Sequence, residues 1–394
     1  MRQLIYNLLL VISLVLINTF SIQAQGVYQL PTDRPLTVDA KLQNLAERLL
    51  NGKQGSIVAI DPSTGEILCM VSHNKVDASV NRAISMEYSP GSTFKVAQAA
   101  TLLTFGAITP ETQYPCHKGF WTNGIHIGCH EHHSPLDLVQ AIGQSCNAWW
   151  CQAFRDFVDN RALYPVKATA INDWHSFMAS MGLGHSLGID LPGEVGGLIP
   201  DAAYLDFTHH GWNGTTIMWL GMGQGEVRTT PLQLCNLAAV IANRGYWYTP
   251  HIHKNSSTQV VDSVLTVRHQ SRPSKESFEI VIEGMRAAVI NGTCTAIRNP
   301  HYKVCGKTGT AQNEGHDHSV FMGFAPEKHP RIAVSVYVEN GGWGADLACP
   351  LGGLVMEQYI MGKLSPASEE KVKKWERKNV KIKAVEIPIM LDDL

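Results

Sequence analysis

Three short stretches of this chain carry residue types that together could transfer an acyl group. In "YSPGSTFKV", Ser92 directly follows Pro90-Gly91, and Lys95 stands three residues further on. If Pro-Gly breaks the chain and a helix begins there, the two side chains lie on one face, a nucleophile beside its base. A serine hydroxyl becomes a useful nucleophile only when a base takes its proton, and a lysine can do so only when a good fraction of it is neutral. Burial and a nearby cation both lower a lysine pKa. Phe94, Val96 and Ala97 would supply the first effect and Lys307 the second.

Ser-x-x-Lys alone is weak evidence, and this chain repeats it twice. Ser72…Lys75 follows an apolar strand-like run and Ser368…Lys371 lies in a charged tail, so both read as structural. Ser92 differs because "QSCNAWW", with Ser145-Cys146-Asn147, and "CGKTGTAQ", with Lys307-Thr308-Gly309-Thr310, follow it in order. The ordered triple is the signature of penicilloyl-serine transferases. Around it, "LTVDAKLQNLAERLL", "GSIVAIDPSTGEILCMVS", "GIDLPGEVGGLIP", "GMGQGEVRTTPLQLCNLAAVIANRG" and "FMGFAPEKHPRIAVSVYVENGG" resemble class B penicillin-binding proteins, most closely the elongation-type peptidoglycan D,D-transpeptidases. The resemblance runs from about Leu36 to Gly353 and includes segments without catalytic residues, so it is a likeness of fold and not only of motif.

The resemblance implies that Ser92 attacks the penultimate carbonyl of a D-Ala-D-Ala stem peptide, with Lys95 as base. Ser145 and Asn147 would relay protons and hold the peptide amide, while Lys307, Thr308, Gly309 and Thr310 would receive the substrate carboxylate and backbone. The oxyanion would lie between the backbone N–H groups of Ser92 and Thr310. An amine from a second stem would then take the acyl group, and β-lactams would acylate the same serine; no cofactor is required. A D,D-carboxypeptidase, a class D-like β-lactamase or a non-catalytic β-lactam sensor would share the motifs. Against a fast lactamase, no glutamate occurs between Asn147 and Glu194 to activate a deacylating water, and Asn147 stands where class D enzymes have an aliphatic residue.

The same resemblance implies a metal. "PCHKGFWTNGIHIGCHEHHSPLDLVQAIGQSCN" gathers three cysteines and five histidines, a spacing that is not a zinc finger's. Some elongation-type relatives hold zinc between the first two motifs. Carried over by counting back from the middle motif, the ligands are Cys116, Cys129, His133 and Cys146, with His130 or His132 as replacements for His133. A Cys116–Cys129 disulfide is the alternative, and a polar loop with buried thiols the plainer reading.

Composition fits this picture: 394 residues, 44% hydrophobic, 17% charged and a net charge of −2 describe a folded core with no basic field for nucleic acid. Residues 1–25 pair Arg2 with the apolar run Leu8–Ile17 and read as a signal peptide or signal-anchor, which places the remainder in the periplasm or on the outer face of the cytoplasmic membrane. Nine cysteines in such a compartment need partners, burial or a metal. Residues 26–36 read as a short linker, so the family's pedestal is expected to be missing and the expected tie to cell-wall elongation machinery weakened.

The elements that must position the motifs follow from hydrophobic periodicity. Leu42, Leu45, Ala46 and Leu49 mark an amphipathic helix, "GSIVAIDPSTGEILCMVS" a hairpin turning at Asp61–Gly65, and "SVFMGFAPEKHPRIAVSVYVENGG" a second hairpin turning near 326–330. Strands at both ends with helices between predict an α/β (α+β) domain over 37–364, of the transpeptidase and serine β-lactamase type, its mainly antiparallel sheet flanked by helices. Residues 365–394 read as a charged, solvated helix and tail.

Overall fold

The computed structural model describes residues 26–122, 124–254, 263–313 and 315–382. The N-terminal segment expected to direct export and the end of the C-terminal tail lie outside the described residues. Among the described residues no helix is long and apolar enough to cross a membrane.

One six-stranded antiparallel sheet organises the chain. Its strands are β1 (Gly26–Val27), β2 (Gly55–Ile60), β3 (Ile67–Asn74), β8 (Cys305–Ala311), β9 (His318–Ala325) and β10 (Ile332–Val338), in the order β1-β3-β2-β10-β9-β8. Four shorter strands stand apart, β4 (Gly119–Thr122) with β5 (Ile125–Gly128) and β6 (Tyr246–Tyr248) with β7 (Arg268–Gln270). The two sequence-legible hairpins are β2–β3 and β9–β10, and the β2–β10 pairing joins the chain's two ends. β8 is therefore an edge strand with one side free to receive another chain.

The strands read as unbroken apolar runs because both faces of the sheet are covered. Alternate residues of β2 enter different cores: Ile57 and Ala59 pack with the helices Ala40–Leu50 and Ala348–Met361, while Val58 and Ile60 pack with the helices Lys95–Thr104 and Pro231–Ala242. Every residue of Pro231–Ala242 is buried, which accounts for its lack of an amphipathic pattern. Its start is fixed by a capping box, with Thr230 and Gln233 satisfying each other's backbone N–H groups, and by Pro231 at the first position.

Two expectations at the domain ends need correction. The stretch expected to link, 26–36, is tied in at both ends: Gly26 and Val27 pair with Asn74 and His73, and Leu36 bridges His253. The charged helix expected to be solvated, Pro366–Arg377, buries Val372 and Trp375 against the outer core, and Lys53 Nζ donates to the Trp375 carbonyl at 2.6 Å. Its charge pattern showed the wet face, whereas two apolar residues four positions or fewer apart were enough to dock the other.

Candidate active site

Pro90-Gly91 does break the chain, and the first turn after it is tighter than the α-helix expected. Gly91–Phe94 is a 3₁₀ turn that continues as the helix Lys95–Thr104. With three residues per turn, Ser92 and Lys95 still stand one above the other. Gly91 has φ +55°, and a Cβ there would lie 2.7 Å from the Thr310 carbonyl oxygen, so only glycine lets the turn approach β8 this closely. The Gly221–Gly225 stretch completes the seat: Gly91 N–H donates to the Gly223 carbonyl at 2.9 Å. A Cβ on Gly223 would in turn lie 2.4 Å from the Gly91 oxygen, which accounts for that glycine.

Ser92 is half-buried at the head of a cleft of about 520 Å³, which Ser145, Asn147, Thr308, Gly309 and Thr310 also line. Lys95 Nζ does not hydrogen-bond to Ser92; it donates to the Ser145 carbonyl at 2.9 Å and to Asn147 Oδ1 at 2.7 Å, with Ser145 Oγ at 3.5 Å. Lys307 Nζ donates to Ser145 Oγ at 2.7 Å and to the Thr308 carbonyl at 3.0 Å. Ser145 Oγ thus stands between two ammonium groups that are both fully buried. Burial holds Lys95 down at about 8, partly countered by the thiols of Cys129, Cys146 and Cys151. Burial and the Lys95 cation hold Lys307 well below its ordinary range.

The middle motif is a corner between two helices. Ser145 ends Leu138–Gln144 in the left-handed conformation (φ 58°), Cys146 caps the next helix through Sγ and Trp149 N–H, and Asn147 opens Asn147–Asp159. A left-handed non-glycine residue is uncommon, and here it turns Ser145 Oγ toward both lysines. Asn147 Nδ2 donates to the Gly128 carbonyl at 2.9 Å, tying the β4–β5 hairpin to the site.

On β8, the Thr310 carbonyl accepts from Gln224 Nε2 at 3.3 Å and therefore faces away from β9. Both backbone groups of a strand residue face the same side, so Thr310 N–H also points from the free edge into the cleft. Thr308 shares that orientation, and its Oγ1 donates to Thr293 Oγ1 at 2.7 Å. Thr293, Asp317 and Trp343 line the cleft without having been singled out in the sequence; each comes from a segment that carries no motif. The repeats of Ser-x-x-Lys are structural: Ser72 Oγ donates to the Val80 carbonyl and Ser368 Oγ to Glu357 at 2.6 Å.

Beside the middle motif, the ligand atoms of Cys116, Cys129, His132 and Cys146 all lie within 4.8 Å of one another. The expected histidine, His133, is not among them; it contributes only its carbonyl, which accepts from His132 Nδ1 at 2.7 Å. A carbonyl can only accept, so Nδ1 carries the proton and Nε2, 3.4 Å from Cys129 Sγ, keeps its lone pair. All nine cysteines are free, so Cys116 and Cys129 form no disulfide. A hydrogen bond from Cys146, helped by His130, the Asn147 N–H and His132, holds the Cys129 thiol far below its ordinary range, while Cys146 is pushed up as the proton donor of the pair.

A hydroxyl at a helix head, two lysines of lowered pKa, a bridging serine and an open edge strand are the groups a serine acyl-transfer site would need. The family is then fixed by comparison: the chain belongs to the penicillin-binding protein transpeptidase domain family, whose model matches residues 55–357. It is 30% identical over 81% of its length to the peptidoglycan D,D-transpeptidase MrdA of Acinetobacter baumannii, covering 53% of that protein. It is 28% identical over 90% of its length to the stage V sporulation protein D of Bacillus subtilis, covering 57% of it. The chain thus spans just over half the length of these curated relatives. Among solved structures, penicillin-binding protein 2 of Pseudomonas aeruginosa in complex with WCK 5153 superposes with a TM-score of 0.74 at 30% identity, covering 85% of this chain and 78% of that one.

Proposed function

We propose that the chain is a peptidoglycan D,D-transpeptidase that works through a Ser92 acyl-enzyme. The observation that carries this reading is the placement of Ser145 Oγ between Lys95 and Lys307, beside a nucleophile whose turn is seated against the free edge of β8. A stem peptide ending in D-Ala-D-Ala adds to that edge as an extended strand, with its terminal carboxylate toward Lys307 and Thr308. Neutral Lys95 takes the Ser92 proton as Oγ attacks the penultimate carbonyl, and the Ser92 and Thr310 N–H groups hold the oxyanion. Collapse breaks the amide, and the leaving D-Ala nitrogen receives its proton through Ser145. An amine from a second stem then attacks the Ser92 ester, giving a new amide and restoring the hydroxyl. A β-lactam acylates the same oxygen.

Cys116, Cys129, His132 and Cys146 would hold a structural zinc. Three thiols and an imidazole suit it, and sulfurs bound at about 2.3 Å stand about 3.8 Å apart across a tetrahedron, within the spacing of this cluster. Zinc bound there would supply no reactive group; as its ligand, Cys146 would be held in place, and with it the corner carrying Ser145 and Asn147. His133 holds the His132 tautomer through its carbonyl. The protein acts outside the cytoplasmic membrane, with the cell-wall elongation machinery as its partner; a structural neighbour at 28% identity is described as a peptidoglycan synthase complex coordinating polymerization and crosslinking.

Intact-mass spectrometry with penicillin G tests the reading. A long-lived adduct that disappears in Ser92→Ala supports it. Rapid return to the free mass with hydrolysed drug makes the protein a lactamase, and no adduct removes the reading altogether. Release of D-Ala without cross-linked product from paired stem peptides would make it a carboxypeptidase.

A further inference from the structure

Outside the cytoplasm, where the chain is proposed to work, thiols need a metal, burial or a partner. Cys116, Cys129 and Cys146 stand together with His132. Among the other six cysteines, only Cys294 and Cys349 hydrogen-bond thiol to thiol. Cys235 Sγ meets the carbonyls of Val58 and Ala333 instead, and Cys151 Sγ meets Met222 Sδ. Cys294 and Cys349 are both wholly buried in the outer core, far apart in the chain and used by no step of the acyl transfer.

The backbone holds the two sulfurs face to face. Cys294 follows the helix Lys275–Asn291, and its N–H donates to the Ala288 carbonyl at 2.8 Å. Cys349 lies in the first turn of Ala348–Met361, and its N–H donates to the Gly344 carbonyl at 2.9 Å. That helix touches the turn Thr295–Ile297 directly, since a Cβ on Gly353 would lie 2.3 Å from Ile297 Cγ2. Cys294 also reaches the catalytic strand: its sulfur accepts from the Thr308 N–H, while Thr308 Oγ1 donates to the neighbouring Thr293 Oγ1 at 2.7 Å. Burial pushes the Cys294 thiol up, but the hydrogen bond from Cys349, the Lys307 cation and the Thr308 N–H outweigh it and hold the thiol below its ordinary range. Burial and then the Cys294 sulfur push Cys349 well up. Cys294 is therefore the member of the pair that ionises first.

We infer that Cys294 and Cys349 are a modification site, oxidised to a disulfide that ties the helix Ala348–Met361 to the segment buttressing Thr308 on β8. The inference rests on the compartment and not on the acyl-transfer chemistry. The oxidant is another disulfide. Cys294 thiolate attacks one of its sulfurs and releases the other as a thiolate. Cys349 then gives up its proton and attacks the Cys294 sulfur of the mixed disulfide, releasing the second thiolate. Two protein thiols lose two electrons and two protons, and the oxidising disulfide becomes two thiols. Because neither sulfur is exposed, the exchange takes place while this part of the core is open, during folding or local unfolding.

The test equilibrates the full chain with equal concentrations of oxidised and reduced glutathione, then denatures it in iodoacetamide and digests it with trypsin. Cys294 falls in the tryptic peptide 287–298 and Cys349 in 332–363, each the peptide's single cysteine. The two peptides are expected to be joined in most molecules. The melting temperature of the oxidised chain is expected to exceed that of the same chain reduced with tris(2-carboxyethyl)phosphine by about 10 °C, as for a disulfide closing a long loop in a domain of this size. In Cys349→Ser the link and that gap should both disappear. The gap is read within each variant, so any effect of the substitution itself, or of oxidation in the Cys116, Cys129 and Cys146 cluster, cancels. Both peptides alkylated, Cys294 joined to a different cysteine or only to glutathione, or an equal gap in Cys349→Ser overturns the inference. Acylation of Ser92 by penicillin G is read separately, so its failure would remove the acyl-transfer reading without touching this one.

Discussion

Among the described residues, two regions bury a lysine completely, and only one of them is the proposed acyl-transfer site. Lys53 lies beneath the C-terminal helix, donating to the carbonyls of Asn51 at 2.8 Å and Trp375 at 2.6 Å. Burial, and then the cations Lys378 and Lys75, lower it to about 8. Lys95 is equally buried and is also lowered to about 8. The thermodynamic mark is the same in both places, so a lowered pKa alone does not identify chemistry. What differs is the surroundings: Lys53 meets only backbone carbonyls that close a packing seam, whereas Lys95 meets Ser145 and Asn147 at the wall of an open cleft that contains Ser92.

The sharpest way to break this comparison is to remove each cation. Lys95→Met should slow penicillin acylation by about a thousandfold, within the range for losing a general base, read by adduct formation over time. Acylation should also respond to pH through the same group. Only neutral Lys95 accepts the Ser92 proton, so the rate should rise about tenfold per unit below about 8 and level off above it. A flat profile between pH 6 and 8 would separate Lys95 from the proton transfer.

The proposed zinc site lies between the two regions in expected effect. His132→Ala should weaken zinc affinity by at least about a hundredfold and slow acylation severalfold, as the corner at Cys146 loosens. His133→Ala keeps the carbonyl that orients His132 and should retain stoichiometric zinc, measured on purified protein. Equal losses in the two variants would overturn the assignment of His132.

Smallest for catalysis are changes at the C-terminal seam. Lys53→Met and Trp375→Ala should leave acylation within twofold, although Trp375→Ala should cost about 3 kcal/mol of stability. On stability against pH, however, the two lysines should behave alike. Each has a folded pKa of about 8 against 10.5 for the free side chain, so between those values the unfolded chain holds more protons and stability rises with pH. Below pH 8 the cost of burying the cation is fully present. Either Lys→Met substitution should flatten part of the rise, visible in chemical denaturation at pH 8 and 10.

The reactive groups were visible in the sequence because each sits in a short local pattern. Ser92 and Lys95 are one turn apart, Ser145 and Asn147 flank one residue, and Lys307 to Thr310 are consecutive. The hairpins were visible for the same reason, since a turn such as Asp61–Gly65 between apolar runs is a local signal. His133 could not be separated from His132 in that way. Neighbouring residues on an irregular loop point in different directions, and only the fold decides which ring faces three sulfurs. The helix Pro366–Arg377 misled for a related reason, because its charges outnumber the two apolar residues that dock it.

By itself, then, the sequence determined the kind of chemistry, the order of the motifs and the fold class, because these depend on residue types and on spacings within a turn or a strand. Tertiary structure decided which side chain meets which. It turned Lys95 toward Ser145 and Asn147 instead of Ser92, chose His132, and brought Thr293, Asp317 and Trp343 to a cleft that no motif connects to them. Those contacts join residues far apart in the chain. Their geometry is fixed by how the sheet and helices pack, and packing is a property of the whole core.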